Sequence, residues 1–322
     1  MKKDSWHIGD LLKVTAAYLK KKGIASARLT AEVLLAHLLE TDRVSLYLQF
    51  QKPLTDREVA GYRTLVSRRV RREPLQYITG VQEFWSMDFQ VDPRVLVPRP
   101  ETELLVEQGV GRAEQSDSKE GGARRLLDLG TGSGVLAVSL AKELPEWEAW
   151  AVDVSPGALE VARLNAEKHG LDARIRFRKG DLFEPFSKEP ILFHLIVSNP
   201  PYVAEETYES LPPEVQGYEP RLALAAGKGG MDVIPRILHD APAFLVPGGW
   251  LLMETSPEQT EQAIKIAEGT RCYDDIHRVR DYSGRYRVVC ARRLSEGACT
   301  EKQAISRFGE NDQMQTIRNP EE

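Results

Sequence analysis

The chain of 322 residues has only three cysteines, Cys272, Cys290 and Cys299, and no two of them form a C-x-x-C pair. So few thiols support neither a disulfide framework nor a zinc site, and a reducing cytoplasm is the expected setting. The six histidines include no H-E-x-x-H or similar pairing, so no metal site is expected. No apolar run reaches the roughly eighteen residues that a membrane span needs, and no membrane association is expected. The opening "MKKDSWH" has two lysines but no apolar block behind them, and it does not read as a secretory signal. No internal repeat is visible.

What remains is an ordinary globular composition, 42% hydrophobic and 28% charged, in a chain long enough for two domains. The net charge of −5 is uneven. Residues 1–90 hold 15 Lys/Arg against 10 Asp/Glu, a balance of +5, which leaves −10 for the rest. A basic front this mild argues against broad nucleic-acid binding, and no direct nucleic-acid partner is expected.

Residues 6–72 read as helices. "IGDLLKVTAAYLKKKG" sets Leu11, Leu12, Val14, Tyr18 and Leu19 on one side, and Gly23 follows a lysine-rich last turn as a stop signal. "LTAEVLLAHLLE" spaces Leu34, Leu35, Leu38 and Leu39 for another helix. Thr55 and Glu58 form a capping box at the start of a third, which ends in the basic cluster Arg68, Arg69, Arg71 and Arg72, read as a solvated helix end, before Pro74. Alternation around Phe84, Met87, Phe89 and Val91 predicts a hairpin. The expected divisions are a helical domain at 1–74, a bridging hairpin at 75–96, a larger domain at 97–293 and a disordered polar tail at 294–322. Residues 113–123, rich in Gly and Ser, read as an exposed loop. From residue 125 short apolar strands alternate with helical patterns, which predicts an α/β fold with a parallel, doubly wound sheet.

In "LLDLGTGSGVLAVSLA" a glycine-rich turn joins a strand to a helix. Gly130, Gly132 and Gly134, with Thr131 and Ser133 between them, let the backbone approach a ligand closely. The third glycine of a dinucleotide fingerprint would fall at Val135, so the spacing is instead D-x-G-x-G-x-G from Asp128. That spacing resembles the loop of S-adenosylmethionine-dependent methyltransferases of the doubly wound class. Asp153 ends the second strand, 23 residues after Gly130, where a carboxylate can accept both ribose hydroxyls of a nucleoside. Asp181 ends the third strand, where the same resemblance places contacts to an adenine, with Leu182 against the flat base.

The fourth strand ends in "NPPY", and its C-terminal end faces the ligand crevice of such a sheet. Asn199 offers an amide acceptor and donors, Pro200 and Pro201 fix two φ angles, and Tyr202 supplies a flat wall. This suits methylation of a planar nitrogen whose lone pair is delocalised. The Asn199 side-chain oxygen and the Pro200 carbonyl can hold two N–H groups and stabilise the positive charge that develops. Asn199, Pro200 and Tyr202 are therefore the candidate catalytic residues, with Pro201 completing the substrate site. The four residues alone leave two substrate classes open, the exocyclic amine of a base and the side-chain amide of glutamine.

Six segments, "EPLQYITGVQEFW", "VLVPRPETELLVE", "LLDLGTGSGVLAVSLA", "VSNPPYV", "YEPRLAL" and "LVPGGWLLMETSPEQ", occur in an order that resembles the HemK/PrmC-type protein-glutamine methyltransferases. The resemblance covers about residues 6–293. It implies a class I S-adenosyl-L-methionine-dependent methyltransferase sheet domain with a small N-terminal helical domain that helps to recognise the substrate. It implies transfer of a methyl group to the glutamine of the Gly-Gly-Gln motif in peptide chain release factors, the protein partners, with a monomer favoured. The runner-up is adenine-N6 methylation of DNA or RNA. Gly130 to Gly134, Asp153, Asp181, Leu182 and Asn199 would line the cofactor pocket, with Phe84 and Arg99 near the glutamine. Two departures are visible: Thr255-Ser256, where the family usually has Ile-Gly, and the extra tail beyond residue 294.

Overall fold

The computed structural model describes residues 5–115, 123–188 and 191–295. The loop expected at 113–123 and the tail expected at 294–322 lie mostly outside these residues. Two compact units emerge. The smaller extends to Val81 and includes Leu211–Glu219; the larger comprises Gln82–Ser210 and the chain from Pro220 onward.

The smaller unit is helical: α1 (Ile8–Lys21), α2 (Ala27–Leu38), α3 (Arg43–Leu48), α4 (Asp56–Val70) and α5 (Leu75–Thr79), with a two-residue strand pair, β1 (Trp6–His7) and β2 (Pro53–Leu54). Its core is built from Leu11, Leu12, Leu19, Leu34, Leu35 and Tyr62, the last donating its hydroxyl to the Ala31 carbonyl. The capping box forms as expected, Thr55 and Glu58 each satisfying the other's backbone amide. Val14 and Tyr18, expected on the buried side of α1, are 52% and 44% exposed, because the apolar stripe is narrower than the run of side chains suggests.

The basic cluster at the end of α4 is not a solvated helix end. Arg69 and Arg72 both pair with Glu214, at 3.0 and 3.3 Å, and Arg68 pairs with Glu73. Arg72 also donates to the carbonyls of Lys22 and Gly23, and Tyr218 donates to that of Arg71. These bonds tie a short helix, Pro213–Tyr218, to α4, which is why 211–219 belongs with the helices and why their unit exceeds 1–74.

The larger unit, from Gln82, opens within a hairpin, β3 (Val81–Phe84) and β4 (Met87–Gln90), turned through Trp85 and Ser86 at φ 51° and 53°. Phe84, Met87, Phe89 and Val91 are buried, as their alternation requires. Then follow α6 (Glu103–Gln115), β5 (Arg124–Leu129), α7 (Val135–Glu143), β6 (Trp147–Asp153), α8 (Pro156–Lys168), β7 (Ile175–Lys179) and β8 (Phe193–Ser198). The chain closes with α9 (Ile234–Asp240), β9 (Leu245–Glu254), α10 (Thr260–Thr270), β10 (Tyr273–Arg280) and β11 (Tyr286–Arg293). Among the described residues no helix is long and apolar enough to cross a membrane.

The seven-stranded sheet has the order β10-β11-β9-β8-β5-β6-β7. Two apolar clusters cover its faces, one holding Leu126, Ala149, Leu195 and Leu252, the other Leu127, Trp150, Ile196 and Leu251. Successive residues thus point to opposite faces, and both faces are buried, as in a parallel α/β sheet. β11 departs from the expected parallel sheet, running antiparallel to β9 and β10. Asp281 makes this possible by folding the β10–β11 turn: it accepts from the backbone of Ser283 and Arg285 and from the Arg287 side chain. Among the described cysteines, Cys290 is a buried free thiol.

Gly134 caps α7 at φ +84°, and a β-carbon there would lie 3.1 Å from that of Ala162. Gly134→Ala should destabilise the protein by about 1–3 kcal/mol, through backbone strain and forced helix separation. Chemical denaturation of the variant checks this; an unchanged midpoint would contradict it.

Candidate functional site

The ends of β5, β6 and β8 meet at a cavity of about 370 Å³. Its lining brings together Gly130, Thr131, Gly132, Ser133, Asp153, Asp181, Leu182, Asn199 and Pro201, with further walls from Val95, Thr102, Pro220 and Leu222. Pro200 is buried and Tyr202 half-buried, and neither lines this cavity. Its volume suits a small molecule.

The glycine loop is held from behind. Asp128, fully buried, accepts from the Thr131 hydroxyl at 2.6 Å and from the Ala137 amide at 3.1 Å. Asn165 of α8 donates to the Ser133 carbonyl and exchanges two bonds with Gln90 of β4. Gly130 and Gly132 adopt φ +70° and +56°, which L side chains rarely tolerate, and a β-carbon at Gly130 would meet no neighbouring atom, so this backbone faces open space. Asp153 accepts from the amides of Gly132 and Ser155, both at 2.9 Å. Burial raises its pKa, while these amide bonds act in the opposite sense. Its remaining lone pairs leave room for two more donors.

Asp181 follows β7 in a turn where Leu182 sits at φ 52°, not at the strand end itself. Its carboxylate pairs with Arg236 at 2.7 Å, and both residues line the cavity.

The N-P-P-Y segment is fastened at both ends. The Asn199 side-chain NH2 donates to the Thr102 hydroxyl at 3.1 Å, and that hydroxyl donates to Glu254 at 2.7 Å. The Tyr202 hydroxyl reaches the other oxygen of Glu254 at 3.2 Å. Burial pushes the Glu254 carboxyl up to about 7 against the pull of Thr102, Tyr202 and Arg287, with Glu101 adding to the rise. Burial likewise raises the Tyr202 phenol, and the Arg99 guanidinium is near enough to oppose that. Gln259 donates to the carbonyls of Tyr202, Gly229 and Gly230. Beyond Tyr202, Val203 pairs with Leu224 and Ala226, which brings the segment from Pro220 to the cavity wall.

Phe84 does not line the cavity. It is 1% exposed and packs edge-on against Phe89 at 6.1 Å, inside the core. Thr255, a departure noted above, is buried with its hydroxyl unpartnered among the described residues, while the Ser256 amide donates to Gln259. Thr102, Glu254 and Gln259 were not singled out from the sequence. One signal was present: a lone glutamate closing the apolar strand "WLLME" is costly to bury unless it is bonded.

Residues 10–80 match the family described as PrmC N-terminal domain, and residues 114–211 the one described as Methyltransferase small domain. The chain is 45% identical over 291 residues to a release factor glutamine methyltransferase of Geobacter sulfurreducens, spanning 90% of this chain and 98% of that one. One of the same name from Rhodopirellula baltica is 38% identical over 288 residues, at 88% and 95% coverage. Among solved structures, the hMettl16 catalytic domain in complex with MAT2A 3'UTR hairpin 6 superposes with a TM-score of 0.51 at 18% identity. That match covers 72% of this chain and 83% of the other, and it bears on the fold alone, a class I methyltransferase fold.

The buried carboxyls carry a pH prediction. Asp128 is pushed up to about 7 by burial, from an ordinary value of 3.8. Between about pH 4 and 7 the unfolded chain has therefore lost a proton that the folded chain keeps, so this group makes stability fall as pH rises. Asp128→Asn should flatten that part of the curve. Urea denaturation of both proteins at pH 5 and pH 8 measures it; equal slopes would contradict the assignment.

Proposed function

Because the chain belongs to the release factor glutamine methyltransferase family, we propose that it methylates the side-chain amide nitrogen of the glutamine in the Gly-Gly-Gln motif of peptide chain release factors, with S-adenosyl-L-methionine as donor. The observation that carries this reading is Asn199, on the cavity wall with its NH2 already engaged by Thr102 and its carbonyl oxygen left to accept from a substrate.

The residues present fit the donor. The loop from Gly130 to Gly134 provides a cradle that side chains would obstruct, and Asp153 has the acceptor capacity for ribose hydroxyls. Asp181 and Leu182, with Arg236 behind, would border the base. When bound, S-adenosyl-L-methionine supplies an electrophilic methyl group on a sulfonium.

The protein's task is to present a poor nucleophile. An amide nitrogen shares its lone pair with its carbonyl, so it gains from being held still and from acceptors that favour positive charge. The Asn199 oxygen and the Pro200 carbonyl would take its two N–H groups, pointing the nitrogen at the donor. Tyr202 and Pro201 would border the planar amide, with Arg99 nearby. As the nitrogen gains its fourth substituent its N–H groups grow more acidic, and both acceptor bonds strengthen. One proton then leaves to water, so no strong base is needed before attack.

The helical unit would contribute to release-factor docking, and translation factors fit a cytoplasmic setting and a substrate that is protein rather than nucleic acid. Relatives from Geobacter sulfurreducens, Rhodopirellula baltica and Chlorobaculum tepidum, 38–45% identical, are named release factor glutamine methyltransferases, which favours glutamine over the adenine-N6 alternative.

Labelled methyl should transfer to a release factor and vanish when its motif glutamine is changed to alanine. Asn199→Ala should lower kcat by about 10²–10³-fold, the loss typical of one aimed dipole, while the fold persists. Unchanged turnover, or labelling of an adenine oligonucleotide in place of the release factor, would overturn the proposal.

A further inference from the structure

We propose that Glu254, acting through the Thr102 hydroxyl, is a positioning residue that decides which end of the Asn199 amide faces the cavity. The inference rests on the reading of Asn199 given above.

A threonine hydroxyl has one proton and two lone pairs. At 2.7 Å from Glu254 and 3.1 Å from Asn199, Thr102 can donate to only one of them. The two Glu254 oxygens take the Thr102 and Tyr202 hydroxyls, so in its ionised form Glu254 only accepts, the proton goes to it, and Thr102 meets Asn199 as an acceptor. Asn199 must then show Thr102 its NH2 and turn its oxygen away, toward the space where an N–H can be received. Without the carboxylate the order reverses freely: Thr102 donates to the amide oxygen, and the NH2 group is presented instead. Two donors would then face each other across the site, and the substrate nitrogen would be repelled from the attacking position.

The second oxygen of Glu254 accepts from Tyr202 at 3.2 Å, so one carboxylate holds the first and last residues of the N-P-P-Y turn. Glu254 is 1% exposed and does not line the cavity, which separates it from any group touching substrate. Thr102 and Glu254 are 152 residues apart in sequence, so the relay is a product of the fold and not of a local motif.

The test compares Thr102→Val, Thr102→Ser and Glu254→Gln in the full-length enzyme, measuring kcat, the KM for release factor and the affinity for S-adenosyl-L-homocysteine. Thr102→Val keeps the shape and removes both bonds; kcat should fall by about 10- to 100-fold, as for a misoriented catalytic group, while KM and product affinity stay near wild type. Thr102→Ser, which restores the hydroxyl, should recover most of the rate. Glu254→Gln can present either its oxygen or its NH2 to Thr102, so kcat should fall to an intermediate value, again without a change in KM. Should Thr102→Val fail to fold, the Ser and Gln variants still decide the matter. Wild-type kcat in Glu254→Gln, or a serine variant as slow as the valine one, would overturn the proposal. Full activity in Asn199→Ala would instead remove the reading of Asn199 itself, an outcome independent of the relay.

Discussion

Parallel pairing between β5 and its two neighbours sets Leu129 beside Ser198 on one side and Val152 on the other. That register brings the glycine loop, Asp153 and Asn199 to one edge of the sheet, although 69 residues separate Gly130 from Asn199. A slip of one residue would exchange the two buried faces, so the apolar clusters enforce the register and the register assembles the site. At strand ends the backbone runs out of ladder partners, and this is where polar side chains can face a ligand without leaving a sheet bond unmade.

Polar groups behind the cavity are as buried as the apolar core, and their bonds are directional. Asn165 and Gln259 satisfy backbone groups of loops that would otherwise be free to move, and Asp128 ties the Thr131 hydroxyl of the glycine loop to the Ala137 amide of α7. Glu254 does the same for side chains. Burying such groups costs stability unless every bond is made, and in return each loop has one favoured arrangement. In the proposed reaction a prearranged acceptor would need no reorganisation when charge develops on the substrate nitrogen.

Much of this was legible in the sequence because the chemistry is local. The spacing of Gly130, Gly132 and Gly134, an aspartate closing the next strand and N-P-P-Y after an apolar run each carry their meaning within a few residues. Contacts between distant residues were not legible. The arginines ending α4 looked solvated because Glu214, which receives Arg69, lies 145 residues away. Phe84 was placed near the substrate by resemblance, whereas the hairpin's alternation already pointed it inward. The antiparallel β11 and the link from Thr102 to Glu254 depend on tertiary closure, which no window of sequence contains.

In the proposed reaction the Asn199 carbonyl and the Pro200 carbonyl form a ready-made cradle for a planar amide. The most direct measurement is a crystal structure with S-adenosyl-L-homocysteine and a peptide carrying the Gly-Gly-Gln motif. The glutamine nitrogen should lie within hydrogen-bond reach of both oxygens, about 2.7–3.2 Å, with the Asn199 NH2 still on Thr102. A glutamine bound elsewhere, or one facing the Asn199 NH2, would contradict it.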